Sequence, residues 1–239
     1  MLDVIKLPNG SNVLVLNDGV EYRLGTKARV TDQYVRAKAE AGVTEFVYAS
    51  SSETAGGYAL ARSAMIQGIP SALFLSGIRL PPQGWGMSQL VRIEVIPDSL
   101  TVVESLADRY VKAKPGRFKV PFGIHDRLYF DLLRNSLLSD PQVQNLHRRR
   151  IWLAAGSGTL LSVLLEVLPE SIFLVVQVGH SIPIELSKHP RVTVFISPEK
   201  FARPANVLPP FQALSNYDAK VWSYLLQYGK EGDAVWIVL

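Results

Sequence analysis

Short apolar segments alternate with longer helical patterns in this chain, and the alternation constrains the fold more than any other feature. Residues 46–49 and 72–75 are short and apolar throughout, as in strands buried on both faces. A helical pattern at 31–41, capped by Thr31 or Asp32, precedes the first, and one at 56–67 precedes the second. The alternation predicts an α/β fold: a mostly parallel, twisted sheet with helices on both faces, in three layers.

The other elements follow from the same two periodicities. We expect further strands at 13–16, 20–22, 91–96, 118–122, 151–155, 172–178, 192–196 and 234–239. We expect further helices at 97–114, 126–138, 159–168, 184–188 and 217–228. The turn formers Asn17-Asp18-Gly19 predict a hairpin between the first two of these strands. The chain is expected to form a single compact unit over 1–239, with a small subdomain at about 43–125 inserted in a larger one.

The composition excludes several kinds of site. The chain has no cysteine, which excludes disulfides, thiolate zinc sites and a cysteine nucleophile, and which fits a reducing cytosol. The four histidines lack metal-ligand spacing, so we expect no metal site. The first residues lack the basic and apolar regions of a signal peptide, and no apolar run reaches the roughly 18 residues of a membrane helix. We therefore expect a cytoplasmic protein that makes no membrane contact.

Lys27 lies in the segment Gly25-Thr26-Lys27-Ala28-Arg29, just before a helical pattern. The turn formers Gly25 and Thr26 place it at the boundary of an element. A lysine in this position could carry a phosphorylated aldehyde cofactor as a Schiff base. Taken alone, Lys27 also fits the common case of a surface lysine.

A polar turn follows the predicted strand at 46–49. It consists of Ser50, Ser51, Ser52, Glu53 and Thr54. Ligands in α/β sheets bind at the carboxyl ends of strands, where small hydroxyls and backbone N–H groups can hold a ring oxygen or a carboxylate. The alternative is an ordinary helix cap, for which serine and threonine are favoured.

A glycine-rich turn, Gly156-Ser157-Gly158-Thr159, follows the predicted strand at 151–155 and precedes a helix. Its two glycines permit positive φ and the close approach of an anion, so its N–H groups could hold a phosphate at the helix N-terminus. Nucleotide-binding and methyl-donor-binding loops look similar. The turn lacks the Gly-Lys-Ser/Thr end of a P-loop and the third glycine of the dinucleotide fingerprint.

These three motifs, in this order over residues 20–180, resemble the pyridoxal-phosphate enzymes of the tryptophan-synthase-β fold type. The branch of aminocyclopropane-carboxylate deaminase and D-cysteine desulfhydrase is the most similar. Its Gly-Asn-Lys-x-Arg segment matches 25–29 except at Thr26, and its Pro-x-Gly segment is similar to 121–123. Its Ser-Ser-Gly-Asn turn resembles 50–54 without the asparagine, and its Gly-Ser-Gly-Gly-Thr loop resembles 155–159 with one glycine fewer.

The resemblance implies a role for each motif. Lys27 would carry pyridoxal 5'-phosphate as a Schiff base and move protons, and Ser51 would act on the substrate beside it. The implied cofactor contacts are Lys27, Ser52, Glu53, Thr54, Gly156, Ser157, Gly158 and Thr159, with Glu53 or a serine replacing the missing asparagine. Candidate substrate contacts are Ser50, Ser51 and Tyr217. Longer enzymes of this fold continue to a residue that faces the pyridine nitrogen, which this chain is expected to lack.

The implied activity is that of a lyase or deaminase of amino acid metabolism, acting by deamination, elimination or decarboxylation, in a fold family that commonly dimerises. A second interpretation is the same fold acting on an amino-acid-modified nucleobase in DNA. The net charge of +4 and the basic cluster at 147–150 motivate it, although such a cluster also fits a solvated helix end. Two further interpretations are a non-catalytic binding module and an unrelated nucleotide-binding α/β domain that uses the Gly156 turn.

Overall fold

The computed structural model describes residues 2–19, 24–79 and 89–238. Its strands are β1 (Leu2–Lys6), β2 (Asn12–Asn17), β3 (Glu45–Ser51), β4 (Ser71–Ser76), β5 (Val91–Ile96), β6 (Arg117–Val120), β7 (Arg150–Ala155), β8 (Ile172–Gln177), β9 (Val192–Ile196) and β10 (Ala234–Ile237). Its helices are α1 (Ala28–Glu40), α2 (Ala55–Ile66), α3 (Leu100–Lys112), α4 (Arg127–Leu138), α5 (Pro141–Gln144), α6 (Thr159–Val167), α7 (Ile184–Ser187) and α8 (Val221–Tyr228). Short 3-10 turns lie at Phe122–Ile124 and Asp218–Lys220.

These elements form two compact units. The larger unit comprises residues 1–26 and 133–239, and the smaller unit comprises residues 27–132. The segment at about 43–125, expected as an inserted subdomain, lies within the smaller unit. Within the described ranges, no helix is both long and apolar enough to cross a membrane.

The smaller unit is built on a four-stranded parallel sheet with the order β5-β4-β3-β6. Helix α3 covers one face, where Val103 and Ala107 pack against Val47 and other side chains of β3 and β4. Because side chains alternate along a strand, Tyr48 points to the opposite face. There its ring lies 3.0 Å from the position that a Cβ on Gly57 of α2 would take. The sheet therefore lies between helices on both faces, as the alternation predicts.

The larger unit is built on a six-stranded sheet with the order β1-β2-β10-β7-β8-β9. The pair β1 and β2 is antiparallel, and the other pairs are parallel. Helix α8 packs on one face, where Trp222 and Leu225 contact a buried cluster that includes Val15, Trp152 and Val235. Both units are thus α/β with mostly parallel strands, which confirms the predicted fold class.

Several elements differ from the prediction. Helix α1 begins at Ala28, with Lys27 at its N-cap, and the Thr31 hydroxyl donates back to the Lys27 carbonyl instead of capping the helix. Asp18 and Gly19 are helical instead of forming a hairpin turn, and the strand predicted at 20–22 lies outside the described residues. Strand β1 was not expected. The antiparallel partner of β2 therefore precedes it in sequence.

The predicted helix at 217–228 is shorter than expected. It begins as the 3-10 turn Asp218–Lys220, and α-helical geometry starts at Val221. Asp218 is buried and accepts a hydrogen bond from the backbone N–H of Val238 at 3.0 Å. This bond links the start of the helical segment to the end of β10.

Candidate active site

The backbone of Lys27 is fixed at the start of α1. Its carbonyl accepts hydrogen bonds from the Tyr129 hydroxyl, at 3.1 Å, and from the Thr31 hydroxyl. Tyr129 is fully buried and stacks edge-on against Tyr34 of α1. These bonds fix the point from which the Lys27 side chain leaves the helix.

The residue before Lys27 is anchored by a buried polar network of the larger unit. Thr26 donates its backbone N–H to the Val238 carbonyl at 3.0 Å and its hydroxyl to Asp18 Oδ2 at 2.6 Å. The Trp236 indole N–H lies 3.2 Å from both oxygens of that pair. Thr26, where the similar family has an asparagine, is therefore a structural anchor next to the lysine.

The side chain of Lys27 lies against the first turn of α2. An ideal Cβ on Gly56 would lie 3.0 Å from Lys27 Cδ and 3.2 Å from Lys27 Cε. It would also lie 3.2 Å from the Tyr48 hydroxyl oxygen. Gly56 therefore leaves space for the aliphatic part of Lys27 and for the Tyr48 hydroxyl, directly after the serine-rich turn.

The Lys27 amine has no compensating charge among the residues that the structure describes. Burial lowers the pKa of Lys27 from 10.5 to about 8, and no charged group of the described residues contributes to the change. The residue keeps some solvent exposure. Within 2–19, 24–79 and 89–238, its Nζ forms no hydrogen bond or ion pair. A substantial fraction of the amine is thus neutral near pH 8, the form that can attack a carbonyl carbon.

Tyr48 lies beside the same turn of α2, and it was not among the residues selected from the sequence. It is buried on the central strand β3, and its hydroxyl accepts the backbone N–H of Gly123 at 3.0 Å. Burial raises the pKa of Tyr48 to about 12, so the hydroxyl keeps its proton at neutral pH. The sequence signal was the pair Gly56-Gly57 at the start of α2, which marks a close approach to that helix.

The serine-rich turn connects β3 to α2 as predicted. The Ser51 carbonyl accepts the backbone N–H of Thr54 at 3.2 Å and the Thr54 hydroxyl at 2.9 Å. The Ser51 hydroxyl accepts the Glu53 N–H at 3.4 Å, and Ser50 Oγ donates to the Ser51 carbonyl at 3.1 Å. Thr54 is the N-cap residue of α2, but its side chain does not cap the helix N–H groups. The first turn of α2 therefore has no side-chain cap from Thr54.

Ser52 is buried within this turn. Its backbone N–H donates to the Ser76 carbonyl at 2.9 Å, and its carbonyl accepts the Tyr58 hydroxyl at 3.1 Å. A Cβ on Gly77 would collide with its hydroxyl. Ser52 is thus fixed between the ends of two neighbouring strands.

The glycine-rich turn lies between β7 and α6 of the larger unit. Gly158 is the N-cap residue of α6 and has a φ of 78°, in the left-handed region. The Ser157 and Thr159 hydroxyls lie 3.1 Å apart, and the Ser162 hydroxyl donates to the Gly158 carbonyl at 3.1 Å. A Cβ on Gly158 would lie 2.8 Å from Leu186 Cδ1, so this position requires glycine for both conformation and space.

Two backbone N–H groups of this turn are free to bind an anion. In the part of the chain that the structure describes, the N–H groups of Ser157 and Gly158 have no hydrogen-bond acceptor. They lie at the N-terminus of α6, where the helix dipole favours negative charge. The geometry therefore fits a phosphate group.

Tyr217 lies beside the same turn. Its hydroxyl oxygen would be 3.7 Å from a Cβ on Gly156 and lies 3.5 Å from the Ala154 carbonyl oxygen. Burial raises the pKa of Tyr217, as does the nearby Asp218. Tyr217 is therefore a neutral hydroxyl at the edge of the glycine-rich turn, ahead of α8.

The basic cluster makes contacts within the protein. Arg148 pairs with Glu170 at 2.8 Å, Arg149 donates to the Gly232 carbonyl at 2.9 Å, and Arg150 Nε lies 3.6 Å from Asp233. These contacts give no support to a nucleic-acid surface at this cluster. Among the described residues, no group of three or more histidine, aspartate or glutamate side chains could hold a metal ion.

The comparisons with known proteins concern the fold. No family model matches the sequence, and no curated protein is significantly similar to it. An ACC deaminase homologue superposes with a TM-score of 0.74 at 16% identity, over 98% of this chain and 87% of that chain. A hydrogen sulfide-producing enzyme from Fusobacterium nucleatum gives 0.66 at 11% identity, over 99% and 94%. O-acetylserine sulfhydrylase isoform 3 from Entamoeba histolytica gives 0.72 at 12% identity, over 100% and 84%. The chain therefore has the tryptophan-synthase-β fold.

Proposed function

We propose that this protein is a pyridoxal-phosphate-dependent enzyme that acts on an amino acid, with Lys27 as the residue that attaches the cofactor. The observation that supports this most is the half-buried Lys27 amine, which has no hydrogen bond or ion pair among the described residues and whose pKa burial lowers to about 8. It lies at the start of α1, against the helix that follows the serine-rich turn, in a chain with the fold of such enzymes. Burial favours the neutral form of the lysine, which is the form that can attack the carbon of an aldehyde.

The glycine-rich turn supports the same proposal. Pyridoxal phosphate needs an anion site as well as an amine, and the free N–H groups of Ser157 and Gly158 supply the required donors. The proposed phosphate contacts are Gly156, Ser157, Gly158 and Thr159. Ser52, Glu53 and Thr54 are proposed as contacts to the cofactor ring, where the similar family uses an asparagine.

When bound, the cofactor supplies an electron sink for the substrate. The chain's own part is to hold and move protons. Lys27 Nζ would be the group that takes a proton from the substrate or returns one to it. We assign Ser51 to the same step, because among the described residues its hydroxyl accepts one long bond, from Glu53 N–H at 3.4 Å, and its proton is available to donate.

Substrate recognition is assigned to polar groups next to these two motifs. Ser50 and Ser51 end the central strand β3, and Tyr217 carries a neutral hydroxyl beside Gly156. Hydroxyl groups suit the carboxylate and amine of a small amino acid better than an apolar ligand. Deamination, elimination and decarboxylation all remain within this class of reaction.

A panel of amino acids tests the function. The protein with pyridoxal phosphate is mixed with each L- and D-amino acid, and the visible spectrum and the release of ammonia, sulfide and carbon dioxide are followed. The proposal expects one group of amino acids to change the spectrum and yield one of these products. Ser51→Ala should lower the rate, whereas Ser139→Ala, a serine at an exposed helix end, should not. Nucleotide binding that survives Lys27→Ala, without any spectral response, would favour the nucleotide-binding alternative instead.

A further inference from the structure

Lys220 is a buried lysine that belongs to none of the three motifs. It ends the 3-10 turn before α8, and its Nζ donates hydrogen bonds to the backbone carbonyls of Lys200, at 2.9 Å, and Glu199, at 3.4 Å. Burial lowers the pKa of Lys220, and the nearby Glu199 carboxylate opposes this change. Because both acceptors are backbone carbonyls of one loop, the ammonium fixes the course of that loop at 199–200.

The loop segment that Lys220 holds continues directly into Phe201. The Phe201 ring lies edge-on to the ring of Tyr217, with 6.3 Å between the ring centroids and an interplanar angle of 84°. Its Cβ, Cγ and Cδ2 atoms also lie 3.4 Å from the position that a Cβ on Gly179 would take. Phe201 therefore packs between Tyr217 and the segment that follows β8.

Tyr217 is the point at which these contacts reach the candidate site. Its ring and that of Phe201 both pack against the buried cluster of the larger unit, and its hydroxyl lies beside Gly156. The Tyr217 carbonyl accepts the backbone N–H of Lys220 at 3.1 Å. Tyr217 and Lys220 therefore share one turn, and the loop that the Lys220 side chain binds places Phe201 against the ring of Tyr217.

We propose that Lys220 is a positioning residue for Tyr217. Its ammonium fixes the backbone at 199–200, and Phe201, the next residue, holds the Tyr217 ring so that the hydroxyl stays beside the glycine-rich turn. A methionine of similar length could be buried without desolvating an ammonium, so packing alone does not require a lysine here. The proposal rests on the proposed function, which assigns Tyr217 to substrate recognition, and all of its contacts lie within the larger unit.

The test measures the reactivity of Tyr217 in the protein without cofactor or substrate. Tetranitromethane nitrates the phenolate form of tyrosine, and tandem mass spectrometry quantifies nitration at each tyrosine. In the wild type, burial and the nearby Asp218 raise the pKa of Tyr217, so its nitration at mildly alkaline pH should be slow. Lys220→Met removes the ammonium and keeps the length of the side chain. We expect Tyr217 to react about tenfold faster in this variant, as a fall of about one unit in its pKa would produce.

Two controls separate this effect from a general loosening of the protein. Tyr228, an exposed tyrosine at the end of α8, is the reference within the same molecule, and its nitration should not change. Lys188→Met, at an exposed lysine after α7, should leave Tyr217 at its wild-type rate. An unchanged rate at Tyr217 in a folded Lys220→Met protein overturns the proposal, as does an equal rise at Tyr228 or in Lys188→Met.

Phe201→Ala tests the step between the loop and Tyr217, and it decides the proposal if Lys220→Met does not fold. It removes the ring that contacts Tyr217 and keeps both carbonyl acceptors of the Lys220 ammonium. Nitration of Tyr217 should rise in this variant too, and the double variant should react no faster than the faster single variant. An unchanged rate in Phe201→Ala, or additive effects in the double variant, overturns the proposal. Because cofactor and substrate are absent throughout, a protein that never takes up pyridoxal phosphate would refute the proposed function and leave this result standing.

Discussion

Thr26 donates its hydroxyl hydrogen to Asp18 Oδ2 at 2.6 Å, and the next residue along the chain is Lys27. Both members of the pair are buried, and the Trp236 indole N–H lies 3.2 Å from each oxygen. Charge-assisted bonds of this kind are short and strong. The backbone is therefore held firmly at the residue just before Lys27.

Thr26→Val should destabilise the protein. Valine has nearly the shape of threonine but removes the donor to Asp18 and the acceptor for Trp236. We expect the free energy of unfolding to fall by about 1–3 kcal/mol, because a buried carboxylate loses a partner. Urea denaturation measures this change. Thr193→Val, at an exposed position of β9, is the control and should change the free energy by less than about 0.5 kcal/mol. Equal effects of the two substitutions would show that the network is not stabilising.

The titration of Lys27 should appear in the pH dependence of stability. Below pH about 8 the amine is charged in both the folded and unfolded states, and the folded protein bears the full cost of burial. Between pH about 8 and 10.5 the unfolded chain binds a proton at Lys27 that the folded protein does not bind. The free energy of unfolding therefore rises with pH over this range. Above pH 10.5 the Lys27 amine is neutral in both states, and the cost of burying its charge is gone.

The measurement compares the wild type with Lys27→Met, whose side chain is similar in length and uncharged. The variant should be more stable than the wild type below pH about 8, and this advantage should shrink as the pH rises towards 10.5. The titration of the other groups is common to both proteins, so it cancels in the difference between their free energies of unfolding. A difference that stays constant over this range would mean that Lys27 is not buried as an ammonium.

Gly158→Ala should weaken the binding of pyridoxal phosphate more than that of pyridoxal, which has no phosphate. An alanine at φ 78° is strained, and its methyl group would meet Leu186 and Pro183. The loss of affinity for the phosphorylated ligand should be tenfold or more, on the order of 1.4 kcal/mol. Fluorescence titration of both ligands checks this expectation.

Gly10→Ala is the control for that substitution. Gly10 also has positive φ, at +90°, but no atom lies within 4 Å of the position of its Cβ. Backbone strain should destabilise the fold by about 1–2 kcal/mol in both variants, and Gly158→Ala adds the cost of the contacts with Leu186 and Pro183. Only Gly158→Ala should discriminate between the two ligands, and a similar loss for both ligands would mean that the turn does not bind the phosphate.

The central strands were predictable because their sequences are unambiguous. Strands β3 and β4 are buried along nearly their whole length, so their apolar runs stand out against the polar turns that follow. Strand β1 was missed for the opposite reason. Its residues are largely exposed, and it is an edge strand held by pairing with β2 and not by burial. An apolar run is a poor guide to a strand that has no apolar environment.

The hairpin at 17–19 was predicted from turn formers, and tertiary pairing prevailed over them. Strand β2 pairs with β1 on one side and with β10 on the other, so a strand after it could not also pair there. The turn that does join two strands contains Gly10. Turn-forming residues show where a chain can reverse direction. A hairpin forms there only if the strand before the turn has an unpaired edge.

The site motifs were visible in the sequence, but the contacts between them were not. Lys27, the serine-rich turn and the glycine-rich turn each lie at the element boundary that was expected. Tyr48 was counted as core, since an aromatic residue within an apolar strand is usually packing. Only the position of Gly56 shows that the Tyr48 hydroxyl and the aliphatic part of Lys27 both approach the first turn of α2.

The most direct test of the central claim is whether pyridoxal phosphate becomes covalently attached at Lys27. The purified protein is incubated with pyridoxal phosphate, its visible spectrum is recorded, and borohydride is added before digestion and mass spectrometry. We predict a yellow protein with the reduced cofactor fixed on the Lys27 peptide, retained in Lys112→Ala, an exposed helix-end lysine, and absent from a folded Lys27→Ala. A protein that stays colourless, or label that persists on other lysines in Lys27→Ala at the wild-type level, would contradict the assignment.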